Sequence, residues 1–413
     1  MNILYLLYIF PAISETFIVN EITKLIDLGH DVYIAAIFDM MDEKVHEKVK
    51  RYGLLNKTHY LKHEPSFHPK GLRRKLSDYE VKKKAEQLIK NNDIISKEEV
   101  KKLMGFCLDY NQDKTNRLFL DCLDLIKFIK EKKIGHIHCH FARENLKIAC
   151  AVNNTIGTPY TFTTHADDIF VNVRRDIKEL SDSAKNIVTI SEYNKKFMCE
   201  VLKIDENKIK VIHCGIELNE FKPVNYLYQD KIKILSIGRL VEQKGFRYLI
   251  EVCNILNKQR INFNCSILGE GKDRKELEDM INKYNLTEKV LIVGVVTQEE
   301  VMKEMDRCSV FVMPCVKAGD GYMDGIPVAL IEAMAREIPV ISTNISGIPE
   351  LIEDGISGVL VPQRYPGAIA DAIIKISKDT EFAYKIRKNG RVKVVNDFNI
   401  KKNAERLANI FKE

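Results

Sequence analysis

The sequence lacks several features that would place its 413 residues in familiar classes. None of its ten cysteines stands in a Cys-x-x-Cys pair, which argues against a thioredoxin-like redox site and a zinc ribbon. No apolar run approaches the ~18 residues that a membrane-spanning helix requires. The apolar segment 3–10 has no basic region before it and ends at Pro11, which indicates a buried strand and not a signal peptide. These absences favour a soluble, cytosolic protein with reduced cysteines.

Charge and composition narrow the class of protein further. A net charge of +6 over this length is mild: it fits anionic small ligands or an anionic membrane surface, and lies far below that of most nucleic-acid binders. Apolar residues make up 45% and charged residues 30%, as in globular proteins. The mild net charge therefore predicts no nucleic-acid partner. The length exceeds what one hydrophobic core usually supports, so we expect two domains.

Short apolar runs alternate with helical patterns along almost the whole chain, which predicts parallel sheets covered by helices. The predicted strands of the first half are 2–8, 31–38, 136–140, 160–165, 187–191 and 210–213. Those of the second half are 233–237, 263–268, 290–293, 310–313, 340–342 and 359–361. The pattern predicts an α/β protein with two Rossmann-like, doubly wound parallel-sheet domains that face each other across a cleft.

The two predicted domains cover residues 1–222 and 231–395, and a mostly polar segment that contains Pro223 joins them. Between residues 65 and 133 helix formers replace the strand pattern, so we expect a helical insertion in the first domain. Residues 70–102 of this insertion hold eleven Lys or Arg against six acidic residues. The excess fits a solvated helical face, or a surface that contacts anionic lipid or a pyrophosphate-linked acceptor.

A loop with two cations follows the first predicted strand of the second domain. The strand ends at Gly238, the loop carries Arg239 and Lys244, and Gly245 opens a helix. Ligands of open α/β sheets bind at the carboxyl ends of the strands, and cations beside a helix N-terminus favour a diphosphate. Such cations also stabilise the charge on a departing nucleoside diphosphate. Two solvated cations on an exposed loop are the alternative.

A second loop, at residues 317–327, follows the predicted strand 310–313 and precedes an apolar helix. Its glycines allow main-chain amides to approach a ligand, and Pro327 suits the start of a helix. Asp324 lies in the loop, and Glu332 lies on the otherwise apolar helix, where a carboxylate needs partners. Ribose hydroxyls would supply them without a metal; an ion pair with a nearby Arg or Lys is the structural alternative.

Histidines accompany two predicted strands of the first domain. His165 follows one of them and is expected in the cleft opposite the two loops of the second domain, with a structural role as the alternative. His136, His138 and His140 share one face of another strand. No further ligand stands at zinc spacing, so we expect no metal site.

Together these segments resemble the retaining glycosyltransferases of family 4, which have the GT-B architecture of two facing Rossmann-like domains. The resemblance runs through nearly the whole chain. Gly238-Arg239 with Lys244-Gly245 resembles the family's diphosphate motif, and the segment from Asp324 to Glu332 resembles its E-x7-E motif. Residues 347–350 and 354–358 resemble the region that follows this motif. Transferases of bacterial exopolysaccharide synthesis, such as those of the colanic-acid pathway, resemble the chain at residues 10–17, 28–30, 137–142 and 164–170.

The resemblance implies a nucleotide-diphosphate-sugar donor in the second domain and a saccharide acceptor, which could be lipid-linked. It also implies retention of anomeric configuration without a metal or another cofactor. Four residues would act at the transferred sugar or the leaving diphosphate: Arg239, Lys244, His165 and Asp324. The expected donor site consists of Gly238, Arg239, Lys244, Gly269, Asp324, Gly325, Ile326, Pro327, Leu330 and Glu332. The expected acceptor or cleft residues are Ser14, Glu15, Thr16 and Asp168.

The same resemblance places the C-terminal helical pattern, from about residue 396 to 413, on the first domain. It implies a cytoplasmic enzyme, with peripheral contact to the inner face of the membrane as an option. Two positions depart from the family pattern. Asp324 stands where E-x7-E begins with glutamate, which shortens the reach of the carboxylate by one methylene and could alter sugar choice. Ser14, Glu15 and Thr16 stand where many members have paired glycines.

Other activities fit the sequence less well. Metal-dependent transferases of the other major fold normally show Asp-x-Asp, which this chain lacks. A partial dinucleotide fingerprint begins at Gly269, but Arg274 stands in place of its third glycine, so the signal is weak. Two alternatives stay open: a sugar-nucleotide 2-epimerase of the same architecture, and a non-catalytic partner subunit that binds a nucleotide sugar.

Overall fold

The computed structural model describes residues 1–12, 15–39, 45–61, 83, 86, 94–110, 115–224 and 231–413. The chain divides into two compact units. Unit 1 comprises Met1–Thr189, Lys195–Ile212 and Ala404–Glu413, and unit 2 comprises Ile190–Asn194 and His213–Asn403. The predicted acceptor residue Ser14, most of the basic segment 70–102 and residues 225–230 of the predicted linker lie outside the described residues.

Unit 1 is built on a parallel sheet of seven strands. The strands are β1 Asn2–Ile9, β2 Asp31–Phe38, β3 Thr58–Tyr60, β4 His136–His140, β5 Tyr160–Thr164, β6 Asn186–Thr189 and β7 Ile209–Val211. Its helices are α1 Thr16–Asp27, α2 Glu47–Arg51, α3 Lys97–Tyr110, α4 Thr115–Lys132, α5 Glu144–Ile156, α6 Asp167–Phe170 and α7 Ile177–Ser183, followed by α8 Glu192–Glu200, which begins in unit 2. The strand order is β3-β2-β1-β4-β5-β6-β7, so the order reverses between β1 and β4.

Unit 2 repeats this design with a parallel sheet of six strands. The strands are β8 Ile232–Ile237, β9 Phe263–Leu268, β10 Val290–Gly294, β11 Val310–Met313, β12 Val340–Thr343 and β13 Val359–Val361. Its helices are α9 Phe246–Lys258, α10 Arg274–Lys283, α11 Gln298–Arg307, α12 Val328–Ala335, α13 Ile348–Leu351, α14 Pro366–Lys378 and α15 Thr380–Asp397. The order β10-β9-β8-β11-β12-β13 reverses between β8 and β11.

Local sequence explains why these segments form these elements. Every residue of β4, β5 and β11 is buried, as expected for parallel strands covered on both faces. Helix α9 buries apolar side chains at helical spacing, among them Phe246, Leu249, Ile250 and Cys253. Helix α11 begins with a reciprocal capping box between Thr297 and Glu300. The prediction of two doubly wound Rossmann-like sheets is confirmed.

The junction between the units differs from the predicted boundary at residue 222. Residues 190–194 and 213–222 belong to unit 2. One reason is main-chain pairing: the Ile216 N–H donates to the Phe398 carbonyl at 2.9 Å, and the Ile400 N–H donates to the Ile216 carbonyl at 3.1 Å. Helix α16, Ile400–Lys412, therefore begins in unit 2, while its residues from Ala404 onward belong to unit 1.

The end of α16 is part of the core of unit 1. Leu407 and Phe411 are 1% and 2% exposed. The Phe411 ring stacks on His136 with ring centroids 4.6 Å apart. All ten cysteines are free, and eight of them are buried. Among the helices of the described residues, none is both long enough and apolar enough to cross a membrane.

Candidate functional site

One candidate site lies in unit 2, where the strand order reverses. Open α/β sheets bind ligands at this point, outside the carboxyl ends of the strands. The loop after β8 carries Arg239 and Lys244, and the loop after β11 carries Asp324. Since β8 and β11 are neighbours in the sheet, the fold brings together two loops that are separated by about 80 residues in sequence.

An ion pair joins the two loops. The Nζ atom of Lys244 lies 3.1 Å from Oδ2 of Asp324, and both side chains are less than one-fifth exposed. Burial lowers the pKa of Lys244, but the attraction of Asp324, the nearby Cys315 and the hydrogen bond to Asp324 together outweigh burial, so the net pKa is raised and the ammonium is held charged. The positive charge of Arg239 opposes this effect. The predicted residues Arg239, Lys244 and Asp324 therefore form one cluster of charge.

Glycines allow the main chains around this ion pair to approach each other. A Cβ atom on Gly245 would lie 1.9 Å from the Pro314 carbonyl oxygen, and one on Gly269 would lie 2.0 Å from the Gly238 carbonyl oxygen. Both glycines also have positive φ, at +70° and +144°. The predicted glycines of the donor site thus let the loops after β8, β9 and β11 pack together.

Replacing Gly245 tests the close packing of the loops, and Gly355 serves as the control position. The two glycines have nearly the same φ, +70° and +69°, but a Cβ on Gly355 would meet no atom within 4 Å. Gly355→Ala is expected to cost only the left-handed strain of about 1–2 kcal/mol. Gly245→Ala adds a main-chain clash, so its unfolding midpoint in urea should be clearly lower. Equal midpoints for the two variants would contradict the close packing at Pro314.

Main-chain amides face the same region from the second loop. The Val316 N–H donates to the Gln243 carbonyl at 3.0 Å, and the Gly319 N–H donates to Oε1 of Glu242 at 3.2 Å, so the two loops are tied. Within the described ranges, no hydrogen-bond acceptor is recorded for the N–H groups of Gly325 and Ile326. They stand just before α12, where a ligand can satisfy free amides.

Glu332 on α12 is a further carboxylate of this region. No ion pair to its carboxylate is found in the part of the chain that the structure describes, which removes the structural alternative of a nearby Arg or Lys. Burial, reinforced by the negative charge of Glu220, raises the pKa of Glu332 to about 7. A carboxylate in this state gains from hydroxyl groups that donate hydrogen bonds to it.

Two predicted donor residues have a different role from the one expected. Leu330 is fully buried in the core of unit 2, so its side chain is not available to a ligand. The Leu330 N–H donates to the Pro327 carbonyl at 3.1 Å. Pro327 precedes α12 as its N-cap residue and does not lie within its first turn. Both residues shape the start of the helix, which corrects the expected contact of Leu330.

A second candidate site lies in unit 1, at the reversal between β1 and β4. Thr16 begins α1, and Glu15 is its N-cap residue. Burial raises the pKa of Glu15, and the nearby His140 and Arg143 oppose this shift. His165 follows β5 and packs against Phe17 and Phe141, with ring centroids 4.6 and 4.5 Å away. Glu15 and His165, predicted from separate motifs, therefore lie at the same edge of the sheet.

Asp168 holds the loops of this edge together. Its carboxylate accepts the Ala142 N–H and the His165 N–H, each at 2.9 Å, and the residue is 1% exposed. Burial raises its pKa despite these hydrogen bonds. With both oxygens engaged inside the protein, Asp168 has a structural role here, and the geometry does not favour the predicted contact with an acceptor.

The histidines of β4 have partners within unit 1. His136 Nε2 and His138 Nδ1 lie 2.8 Å from the Thr161 hydroxyl, and His138 Nε2 lies 3.0 Å from that of Thr163. Glu21 brings a carboxylate to His138 and His140, so three ligand atoms lie within 4.8 Å of one another. Glu21 is therefore a neighbouring carboxylate that spacing along the sequence did not indicate. However, both ring nitrogens of His138 already have hydroxyl partners, so the arrangement gives no reason to expect a metal.

Sequence reasoning missed several residues of this edge. Phe141 has φ +64°, an uncommon conformation for an aromatic residue, and its ring lies beside His165. Arg143 lies over the Phe141 ring at 4.7 Å. Glu21 on α1 contacts His140. The position of Arg143 and Phe141 after a buried strand could have indicated them; nothing in the local sequence singles out Glu21.

Comparison with known proteins shows the family of this chain. The family model Glycosyl transferases group 1 matches residues 218–393, and the model Glycosyltransferase Family 4 matches residues 108–220. The amylovoran biosynthesis glycosyltransferase AmsK of Erwinia amylovora is 32% identical over 94% of each chain. The putative colanic acid biosynthesis glycosyltransferase WcaL of Salmonella typhimurium is 29% identical over 97% of this chain and 96% of its own.

Solved structures show the same fold. The crystal structure of HepE from Anabaena, in complex with UDP and glucose, matches with a TM-score of 0.71 at 15% identity and covers 100% of this chain and 99% of its own. Sucrose-phosphate synthase from Thermosynechococcus elongatus matches with a TM-score of 0.72 at 17% identity, over 100% of this chain and 98% of its own. The fold is therefore GT-B, and the chain belongs to glycosyltransferase family 4.

Proposed function

We propose that this protein transfers a sugar from a nucleoside-diphosphate sugar to a saccharide acceptor in bacterial exopolysaccharide synthesis, with retention of anomeric configuration. The observation that carries the proposal is the Lys244–Asp324 ion pair at the strand-order reversal of unit 2. It holds one fixed positive and one fixed negative group where this fold binds nucleotides. The relatives AmsK and WcaL, named for amylovoran and colanic acid, support the polysaccharide context.

Each charged group of unit 2 has a proposed task in the donor complex. Lys244 and Arg239 bind the diphosphate and stabilise the negative charge that grows on it as the glycosidic bond breaks. Asp324 and the N–H groups of Gly325 and Ile326 bind hydroxyls of the donor sugar. Glu332 accepts hydrogen bonds from the ribose hydroxyls. In unit 1, His165 is proposed to bind a substrate hydroxyl.

A thermal-shift panel tests the donor site directly. UDP-, GDP- and ADP-sugars are added to the wild type, to Glu332→Ala and to the control Glu288→Ala, which removes an exposed carboxylate of the same unit. A ligand at 100 times its Kd should stabilise the folded protein by about 2.7 kcal/mol. We expect one nucleotide class to raise the Tm of the wild type and of Glu288→Ala, but not of Glu332→Ala. UDP-glucose is tested first, because HepE was seen with UDP and glucose.

The same panel separates the proposal from its alternatives. The Tm shift should persist in the presence of a chelator, because the proposed site binds the diphosphate through the side chains of Lys244 and Arg239 and not through a metal ion. Incubation with acceptor should give a product whose anomeric configuration, read from the proton NMR coupling constant, equals that of the donor. A free epimerised nucleotide sugar would indicate the 2-epimerase, which the relatives do not favour. Absence of a shift with every nucleotide sugar would overturn the donor site.

A further inference from the structure

We infer that Glu21 and His140 are positioning residues for His165: a chain of two hydrogen bonds fixes which nitrogen of the His165 ring carries the proton. The inference deepens the proposed function, since it rests on the role proposed there for His165. Glu21 lies on α1, His140 ends β4 and His165 follows β5, so three separate elements of unit 1 build the chain.

The distances describe a continuous path. Oε1 of Glu21 lies 2.9 Å from Nε2 of His140, and Nδ1 of His140 lies 3.1 Å from Nε2 of His165. The two imidazole rings are stacked, with an interplanar angle of 24° and centroids 5.4 Å apart. His140 is 2% exposed and His165 is 8% exposed, so solvent does not compete effectively for these hydrogen bonds.

Proton positions follow from what each group can donate. An ionised carboxylate only accepts, so Nε2 of His140 carries a hydrogen and donates it to Glu21. We place one hydrogen on the His140 ring, so its other nitrogen, Nδ1, accepts a hydrogen bond that Nε2 of His165 donates. The neutral His165 ring then has its hydrogen on Nε2 and none on Nδ1.

The surrounding residues favour these proton positions in the hydrogen bonds that join Glu21, His140 and His165. Burial lowers the pKa of His165 well below its ordinary value, and the positive charge of Arg143 lowers it further, so the ring is neutral near pH 7. The Tyr5 hydroxyl donates to the same Glu21 oxygen at 2.6 Å, and burial with the Glu21 charge raises the pKa of this tyrosine. The Glu21 carboxylate therefore receives two donors, which hold it against β1 and β4.

Main-chain and aromatic contacts fix the position of the His165 ring. The N–H of His165 donates to Asp168, and the side chain packs between Phe17 and Phe141. These contacts determine where the ring lies, but aromatic packing does not select the protonated nitrogen. The hydrogen bond from His165 to His140 makes that selection, and Glu21 transmits it.

The experiment measures the tautomer of His165 by ¹⁵N NMR of histidine-labelled full-length protein, with His165→Gln to assign the signals. Wild type is expected to show hydrogen on Nε2. In Glu21→Gln the neutral side chain no longer favours one tautomer of His165, so signals of both tautomers should appear. In this variant kcat should fall about tenfold, while the donor-induced Tm shift is retained. Tyr5→Phe removes a hydrogen bond from the same oxygen but keeps the charge, and should keep the wild-type tautomer.

Three outcomes bear on the inference. Hydrogen on Nδ1 of His165 in the wild type would overturn it, and this measurement holds even if Glu21→Gln does not fold. A wild-type tautomer with kcat within twofold of wild type in Glu21→Gln would overturn it as well. The expected tautomers without any donor-induced Tm shift in wild type would leave the hydrogen-bond chain standing and refute the proposed donor site instead.

Discussion

Replacing Lys244 by glutamine is expected to lower kcat by about 10²–10³-fold, the loss seen when one group that stabilises transition-state charge is removed. Lys244 lies against Asp324 at 3.1 Å with a side chain only 15% exposed, so water does not screen its charge effectively. Glutamine keeps most of the length and a hydrogen-bond donor but loses the charge that the departing diphosphate requires. Steady-state kinetics with the donor identified in the thermal-shift panel measures the change.

Lys303→Gln is the matched control for this variant. The Lys303–Glu299 pair has the same 3.1 Å separation, but both side chains are more than 60% exposed. Exposed ion pairs contribute little to stability, so this change should leave both kcat and Tm unaltered. Arg239 is exposed, and its charge is better screened, so Arg239→Ala should reduce kcat less, by about tenfold. Unchanged kcat in Lys244→Gln would remove this lysine from the mechanism.

The affinity for the nucleotide sugar is expected to rise about tenfold between pH 6 and pH 8, because the pKa of Glu332 is raised to about 7. At pH 6 most Glu332 side chains hold a proton, whereas at pH 8 most are ionised. Ribose hydroxyls that donate hydrogen bonds favour the ionised form, so binding releases a proton and strengthens as pH rises. Isothermal titration with a nucleotide sugar at several pH values measures this slope.

Glu332→Gln provides the control for the pH dependence. The amide cannot ionise, so its affinity should be lower than that of the wild type at pH 8 and nearly constant with pH. The unliganded wild type should also lose stability as pH rises from the ordinary glutamate range through 7, because the folded state binds the proton more tightly than the unfolded chain. That loss is on the order of 3 kcal/mol. An equal pH slope of affinity in both proteins would contradict the role of Glu332.

The regular elements could be predicted because their signal is local. The predicted strands 31–38, 136–140, 263–268, 310–313 and 359–361 agree with the structure at both ends. Strands 31–38, 310–313 and 359–361 are mostly apolar runs, which parallel strands under helices require. Histidines or polar residues interrupt strands 136–140 and 263–268. The strand β3 was missed, because its three residues Thr-His-Tyr carry no apolar run. It adds an edge to the sheet but contributes nothing to either candidate site.

The domain boundary could not be predicted from local sequence patterns. The polar segment around Pro223 looks like the junction, yet residues 213–222 join unit 2 through the pairing of Ile216 with Phe398 and Ile400. That pairing connects segments more than 180 residues apart in sequence. No periodicity within either segment reports it, because the hydrogen bonds depend on where the C-terminal residues return.

The sequence by itself determined the fold class, and it named candidate donor-site residues, whose role stays a prediction. Arg239, Lys244, Asp324 and Glu332 stand at loop and helix positions that follow predicted strands, and parallel topology brings such positions together. Only the tertiary structure decided the partners: that Lys244 pairs with Asp324, that no cation pairs with Glu332 among the described residues, and that Leu330 is core. It likewise decided that Glu21 reaches His140, because contacts between distant elements depend on sheet order and packing, which local sequence patterns do not specify.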